Sequence, residues 1–191
     1  MKLRFVFILS LTAVATSFAM AGPDEPRTKN DFLLRGKEVA LKTRDVLGKH
    51  LQQAMHDGGP LAAVDFCNEN AQAITNETSG ELNTTIARVS DRPRNSNNTA
   101  NKDQLAYITE AKRSLASGEQ PKPALVDIDG RMVGYYPILT RGMCLQCHGT
   151  EGREISQETS TAIRARYPAD QAVGYGVNEL RGIFVVTMQK N

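Results

Sequence analysis

Apolar residues recur at near-helical spacing over residues 31–55, through Leu34, Leu41, Val46, Leu47, Leu51 and Met55, until Gly58, Gly59 and Pro60 end the run. The pattern predicts one long amphipathic helix. A second helix is expected over residues 61–75, with Pro60 at its start and Leu61, Val64, Cys67, Ala71 and Ile74 three or four positions apart. That spacing puts Cys67 on the buried stripe. Residues 82–89 favour an extended segment, and the polar stretch 91–98, with Pro93 and several Asn, reads as a structured loop. A third helical pattern covers residues 104–115 through Leu105, Ile108, Ala111 and Leu115, and Gly118, Pro121 and Pro123 break it. Two strand-like runs, 124–128 and 131–139, flank the turn pair Asp129 and Gly130 and predict a β-hairpin. Residues 156–166 form a short helix stopped by Tyr167 and Pro168, and residues 181–188 a final strand. Helices first, then strands with helical insertions, predict an α+β domain with a mostly antiparallel sheet and an N-terminal helical segment.

The amino-terminal residues follow a different logic. Lys2 and Arg4 precede an apolar run over residues 5–18, and Ala19, Met20 and Ala21 supply an A-x-A cleavage signature. Residues 1–21 are expected to be a cleavable signal peptide, cut after Ala21, with an uncleaved anchor as the competing reading. Removing 21 of the 191 residues leaves 170, a size that suits one domain, 22–191. The export signal predicts a periplasmic protein with no stable membrane span after cleavage. Of the 23 Lys and Arg residues, two lie in the signal, so the mature chain balances its 21 acids. A neutral balance argues against nucleic acid as a partner.

Cysteine usage changes the picture most. Cys144, Leu145, Gln146, Cys147 and His148 form a C-x-x-C-H run, which in an exported chain reads as a c-type haem attachment site. Two intervening residues let both thiols reach vinyl groups on one porphyrin edge, and the next imidazole turns under the iron. The expected cofactor is therefore one covalent haem c, with His148 as proximal iron ligand. A structural zinc site needs four Cys or His ligands, and no second pair exists, the remaining residues of these types being Cys67, His50 and His56. A redox disulfide wants its first Cys at the start of a helix, and Gly149, Thr150, Glu151 and Gly152 make poor helix material. Once two thiols are assigned to haem, Cys67 is left without a partner.

Several segments together, 143–149 (MCLQCHG), 167–175 (YPADQAVGY), 180–185 (LRGIFV), 92–95 (RPRN) and 66–71 (FCNENA), resemble the family of single-haem c-type proteins with a PAS-like fold. That family occurs alone and as the exported, haem-linked sensor region of signalling proteins. The resemblance spans most of the mature chain. It implies a five-stranded antiparallel PAS-like sheet flanked by helices, with haem held between the C-x-x-C-H loop and the amino-terminal helices. It also implies that the thiol on the second helix, here Cys67, can serve as the other axial ligand. Residues 176–179 (GVNE) depart from the Gly-Asp pair more usual there.

The sixth ligand sets the chemistry, because a thiolate favours ferric iron and a low potential whereas Met raises it. Cys67 is the leading candidate distal iron ligand. Met55, Met132, Met143, Met188, His50 and His56 are the alternatives, and Met143 adjoins Cys144 too closely to reach the far face. Arg92 and Arg94 are candidate partners of the haem propionates, with Arg88 and Arg141 beside them. Tyr135, Tyr136 and Tyr175 either line the pocket or fill the core. The function these residues predict is a redox or small-gas sensing and binding module that passes its signal to a redox partner or a separate signalling protein. The alternative is a small periplasmic electron-transfer cytochrome c. A peroxidase-like enzyme would want a distal acid–base pair that the sequence does not supply, so the protein is not expected to be an enzyme.

Overall fold

The computed structural model describes residues 27–190, so the expected signal peptide and its cleavage point lie outside the described residues. Helix α1 (Lys29–Glu69) opens on a capping box, with the Thr28 hydroxyl accepting from the Asp31 N–H at 3.2 Å and the Asp31 carboxylate accepting from the Thr28 N–H at 2.8 Å. Its buried face is Phe32, Gly36, Val39, Ala40 and Thr43. Leu34 and Leu41, which the hydrophobic pattern placed on the inward stripe, are instead 53 % and 38 % exposed. The true stripe was hidden because Gly36 and Thr43 do not register as apolar, although a glycine admits close approach and a buried Thr43 hydroxyl donates to the Val39 carbonyl at 2.8 Å.

Gly58 and Gly59 break α1, Gly59 at φ 67°, a left-handed conformation that glycine adopts without Cβ strain, and Pro60 starts the second arm. The His50 ring stacks on Phe66 with centroids 6.0 Å apart. In one straight helix those residues would stand roughly 24 Å apart at 1.5 Å per residue. The chain therefore doubles back, and the arm that carries Cys67 lies alongside the first.

Asn70 interrupts the helix expected over residues 61–75, and α2 (Ala71–Glu81) carries on to within a few residues of β1 (Thr85–Val89). Thr75 and Thr78 are buried on α2 yet satisfied, donating to the carbonyls of Ala71 and Ile74 at 2.7 and 2.9 Å, so hydrophobicity alone did not extend it. Helix α3 (Lys102–Ala116) starts on a second capping box between Asn101 and Gln104. Strands β2 (Ala124–Ile128) and β3 (Arg131–Leu139) form the expected hairpin, and positive φ at both Asp129 and Gly130, 50° and 75°, identifies a type I′ turn. A single helical turn, α4 (Leu145–His148), then α5 (Gln157–Arg166) capped by Ser156, and β4 (Leu180–Gln189) complete the order.

The sheet is antiparallel throughout, in the order β1-β4-β3-β2, and is flanked by helices, a PAS-like α+β arrangement preceded by a helical segment. Among the described residues it has four strands rather than the five that the resemblance implied. One face sends Ile86, Met132, Tyr136, Phe184, Val186 and Met188 to α1, and the other sends Val89, Val133, Tyr135, Ile183 and Val185 to α3. A third cluster, Val64, Ile155, Ile163 and Tyr167, joins the second arm of α1 to α5, and Cys147 packs against it. No helix among the described residues is long and apolar enough to cross a membrane.

The Tyr136 ring fits a slot between Gly36 on α1 and Gly134 on β3, and its hydroxyl donates to the Leu33 carbonyl at 3.1 Å. A Cβ added at Gly36 would stand 2.7 Å from the Tyr136 Cζ, whereas one at Gly48 on the same helix would meet nothing within 4 Å. Gly36→Ala is expected to destabilise the fold by about 1–3 kcal/mol through overpacking, and Gly48→Ala to leave it unchanged or stabilise it by up to about 1 kcal/mol. Urea midpoints of the two variants, compared at equal slope, check the pair.

Candidate functional site

The C-x-x-C-H residues leave the end of β3 through a short turn of 3-10 helix, Gly142–Cys144, followed by α4. Thr140 pins that exit. Its N–H and hydroxyl donate to the Glu179 and Gly176 carbonyls at 2.9 and 2.6 Å, and its carbonyl accepts from the Asn178 N–H at 2.9 Å. Cys144 precedes a helix after all, but one of a single turn, unlike the long helix that follows the first Cys of a redox disulfide. The Cys144 and Cys147 thiols are both free and half-buried.

Behind His148 runs the stretch 170–175, which acts as a collar. His148 donates its Nδ1–H to the Ala172 carbonyl at 2.8 Å, while the His148 and Gly149 carbonyls accept from the N–H groups of Tyr175 and Gly174 at 2.8 and 2.7 Å. A proton fixed on Nδ1 leaves the Nε2 lone pair for a metal, the tautomer that a ligating imidazole needs. Burial first, then the Arg181 and Arg94 guanidiniums, hold the His148 pKa well below the ordinary value, so the ring is neutral. The collar is braced from 92–95. Arg94 Nη2 donates to the carbonyls of Cys147 and Ala172 at 2.6 and 3.1 Å and to Asp170 Oδ2 at 3.1 Å, a nearly buried ion pair. Arg92 donates to the Gln171 carbonyl at 3.1 Å and to the Val173 carbonyl, and its guanidinium lies 4.4 Å over the Tyr175 ring.

Of the two arginines expected to meet propionates, Arg92 gives Nε and Nη2 to backbone carbonyls, and Arg94 gives Nε and Nη2 to Asp170 and to backbone carbonyls. Arg88 stands differently. It projects from β1 on the α1 side, donates weakly to the Ala71 carbonyl at 3.3 Å, and its Nε is buried with no hydrogen-bond partner. With Arg181 on β4, four guanidiniums gather around the motif, and among the described residues Asp170 is the one carboxylate bridged to any of them. Such an uncompensated positive field fits an anionic group. Arg141, the remaining candidate, is exposed, and its N–H points at the Cys144 sulfur at 3.3 Å.

Cys67 is half-buried on the second arm of α1, one turn after Val64, whose cluster Cys147 joins. Burial pushes its thiol pKa up, and Arg88 and Arg94 pull it down. Burial likewise raises the Cys147 thiol, with Arg94 opposing and the charges of Cys67 and Cys144 adding to the rise. The structure thus brings Cys67 to the C-x-x-C-H residues. It takes Met132 and Met188 away, since they pair across β3 and β4 in the α1-facing core, roughly 20 Å along the strand from Leu139. Met143 is 41 % exposed beside Cys144, Met55 sits by the α1 break, and His50 and His56 are on the surface. Tyr135 and Tyr136 are core, whereas Tyr175 meets the His148 ring edge-on at 6.2 Å. Sequence reasoning singled out neither Asp170, Ala172 nor Arg181 individually, although the segments YPADQAVGY and LRGIFV contain all three.

A family model described as Tll0287-like matches residues 27–189. No curated protein matches the chain. Among solved structures, the crystal structure of the cyanobacterial heme-protein Tll0287 is similar, with a TM-score of 0.58 and 16 % identity over 85 % of this chain and 94 % of that one. At that identity the likeness bears on the fold.

Proposed function

The chain belongs to the Tll0287-like family, and from that premise we propose that it is an exported, periplasmic mono-haem c-type protein that senses redox state or a small gas. One observation carries the reading. A neutral imidazole tautomerised by the Ala172 carbonyl stands beside two free thiols at the C-x-x-C spacing, inside a collar with more guanidinium than carboxylate. Cys144 and Cys147 would hold the haem through thioethers, and His148 Nε2 would face the iron. Cys67 would supply the opposite ligand, and Arg88, with its orphaned Nε, would meet negative charge there. When bound, the group supplies a one-electron couple and a metal position that a gas can take.

The placement of Cys67 favours sensing. Its arm joins the rest of α1 through the non-helical Gly58 and Gly59 rather than through continuous helix, while His148 is tied to the collar. No enzymatic activity is assigned, and the partner is a redox protein or a separate signalling protein. The second reading, an electron carrier, draws on apolar skin near the motif, where Met143 is 41 % and Val177 60 % exposed. Spectra of the protein exported with haem-attachment machinery separate the two. Haem that stays through acid–acetone extraction is expected, and a ferrous form that binds carbon monoxide supports sensing. A ferrous form that stays six-coordinate and resists the gas supports the carrier, and a chain with no extraction-resistant haem overturns both.

A further inference from the structure

The register of β3 and β4 slips at one point, next to the site. Ile138 pairs with Gly182 and Leu139 with Leu180, which leaves Arg181 as an extra residue, a β-bulge. The bulge is built in. The Arg181 carbonyl accepts from the Ser90 hydroxyl at 2.8 Å, and Gly182 lies so close to β1 that an added Cβ would stand 2.5 Å from the Val89 carbonyl oxygen.

A bulge re-aims a side chain, and this one sends the Arg181 guanidinium to His148. Its Nε is 3.4 Å from His148 Nδ1, its Nη1 donates to the Arg92 carbonyl at 3.3 Å, and it lies 5.6 Å over the Tyr175 ring. Because Nδ1 already gives its proton to Ala172, Arg181 acts there as a charge rather than as a hydrogen-bond donor. No carboxylate bridges to it among the described residues. A carboxylate beside a ligating imidazole raises its basicity, and a cation does the reverse.

Resting on the haem reading above, we propose that Arg181 is a positioning residue for His148. It fixes the imidazole plane between Tyr175 and the Ala172 carbonyl, and its charge weakens the imidazole as a donor, favouring the ferrous state. This role opposes that of a Cys67 thiolate on the other side.

The test compares the midpoint potential of the haem-loaded full chain with those of Arg181→Gln, which removes the charge and stays polar, and Arg181→Lys, which keeps the charge. At fixed poise the ferrous-to-ferric ratio of Arg181→Gln is expected to fall about tenfold, or about 59 mV for one electron, and Arg181→Lys to recover most of it. The same drop is expected in a Cys67→Ala background, since the charge acts through His148. Unchanged potentials in haem-loaded variants would make Arg181 a structural brace and overturn the proposal, as would a drop that disappears without Cys67. A wild-type chain without covalent haem is a separate result, which removes the haem reading itself and this role with it. Should Arg181→Gln not fold, Arg181→Met and Arg181→Lys, read against each other, decide the same question.

Discussion

Protein carrying both Cys144→Ala and Cys147→Ala is expected to retain no haem after acid–acetone extraction, against a full complement in the wild type. The expectation follows from how the site divides its work. The thiols are free and half-buried, and the Cys144 sulfur accepts only a local hydrogen bond, from the Arg141 N–H at 3.3 Å. His148 is held from the opposite side by the Ala172 carbonyl, and its orientation does not pass through sulfur. The cost to the fold is small. Cys147 packs at the edge of the Val64, Ile155, Ile163 and Tyr167 cluster, so its truncation is expected to cost about 1 kcal/mol. Loss of haem with a near-native far-ultraviolet spectrum therefore reports attachment rather than misfolding. Each single variant keeps one sulfur and should hold haem through one thioether, with a shifted pyridine haemochrome band. Extraction-resistant haem in the double variant would sink the assignment.

Cys67→Ala is expected to leave attachment intact and change the iron. Its ferric absorption bands should move away from those of the wild type, and the midpoint potential should rise by on the order of 0.1 V, the direction set by removing an anionic donor. Burial alone would keep this thiol protonated. Arg88 and Arg94 oppose that, and Arg88 has no carboxylate of its own. The pH dependence follows from the same signs. Burial raises the folded thiol pKa, so its protonated form is the one the apo fold favours, and the stability it lends to haem-free protein is present at neutral pH and fades as pH rises through the folded value. Ferric, ferrous and carbon-monoxide spectra of the variant beside wild type make the comparison. An unchanged ferric spectrum would show Cys67 to be a packed thiol and move the carrier reading ahead.

Much of the fold could be read from the sequence where one local rule decided it. Asp129 and Gly130 predict a hairpin and the hairpin is there, closed by a type I′ turn, and Ser156 with Tyr167 and Pro168 bounds α5 closely. The sequence reading failed where burial did not coincide with hydrophobicity. Gly36, Thr43, Thr75 and Thr78 are inward residues that look neutral or polar, so the face of α1 was misjudged and α2 was cut short. The motif was legible because its chemistry is local, three side chains within five residues. Its support was not, because a carbonyl at Ala172 and a guanidinium at Arg181 act from 24 and 33 residues away from His148. Arg92 and Arg94 illustrate the same limit. Sequence offers two cations as candidates, and only the fold shows that their Nε and Nη2 groups brace the collar through backbone carbonyls and Asp170.

The strand order has a consequence for biosynthesis. β4, the last strand of the fold, lies between β1 and β3, so β1 has no neighbour to pair with until β4 has been made. Joining Thr85–Val89 to a partner about 100 residues downstream is a high-contact-order step, and such steps are slow. The C-x-x-C-H segment is synthesised about 30 residues ahead of β4, and the collar that closes over His148 also comes after it. During that interval the thiols belong to an open chain. The topology thereby puts the two cysteines into the chain ahead of both the collar and the strand that closes the sheet.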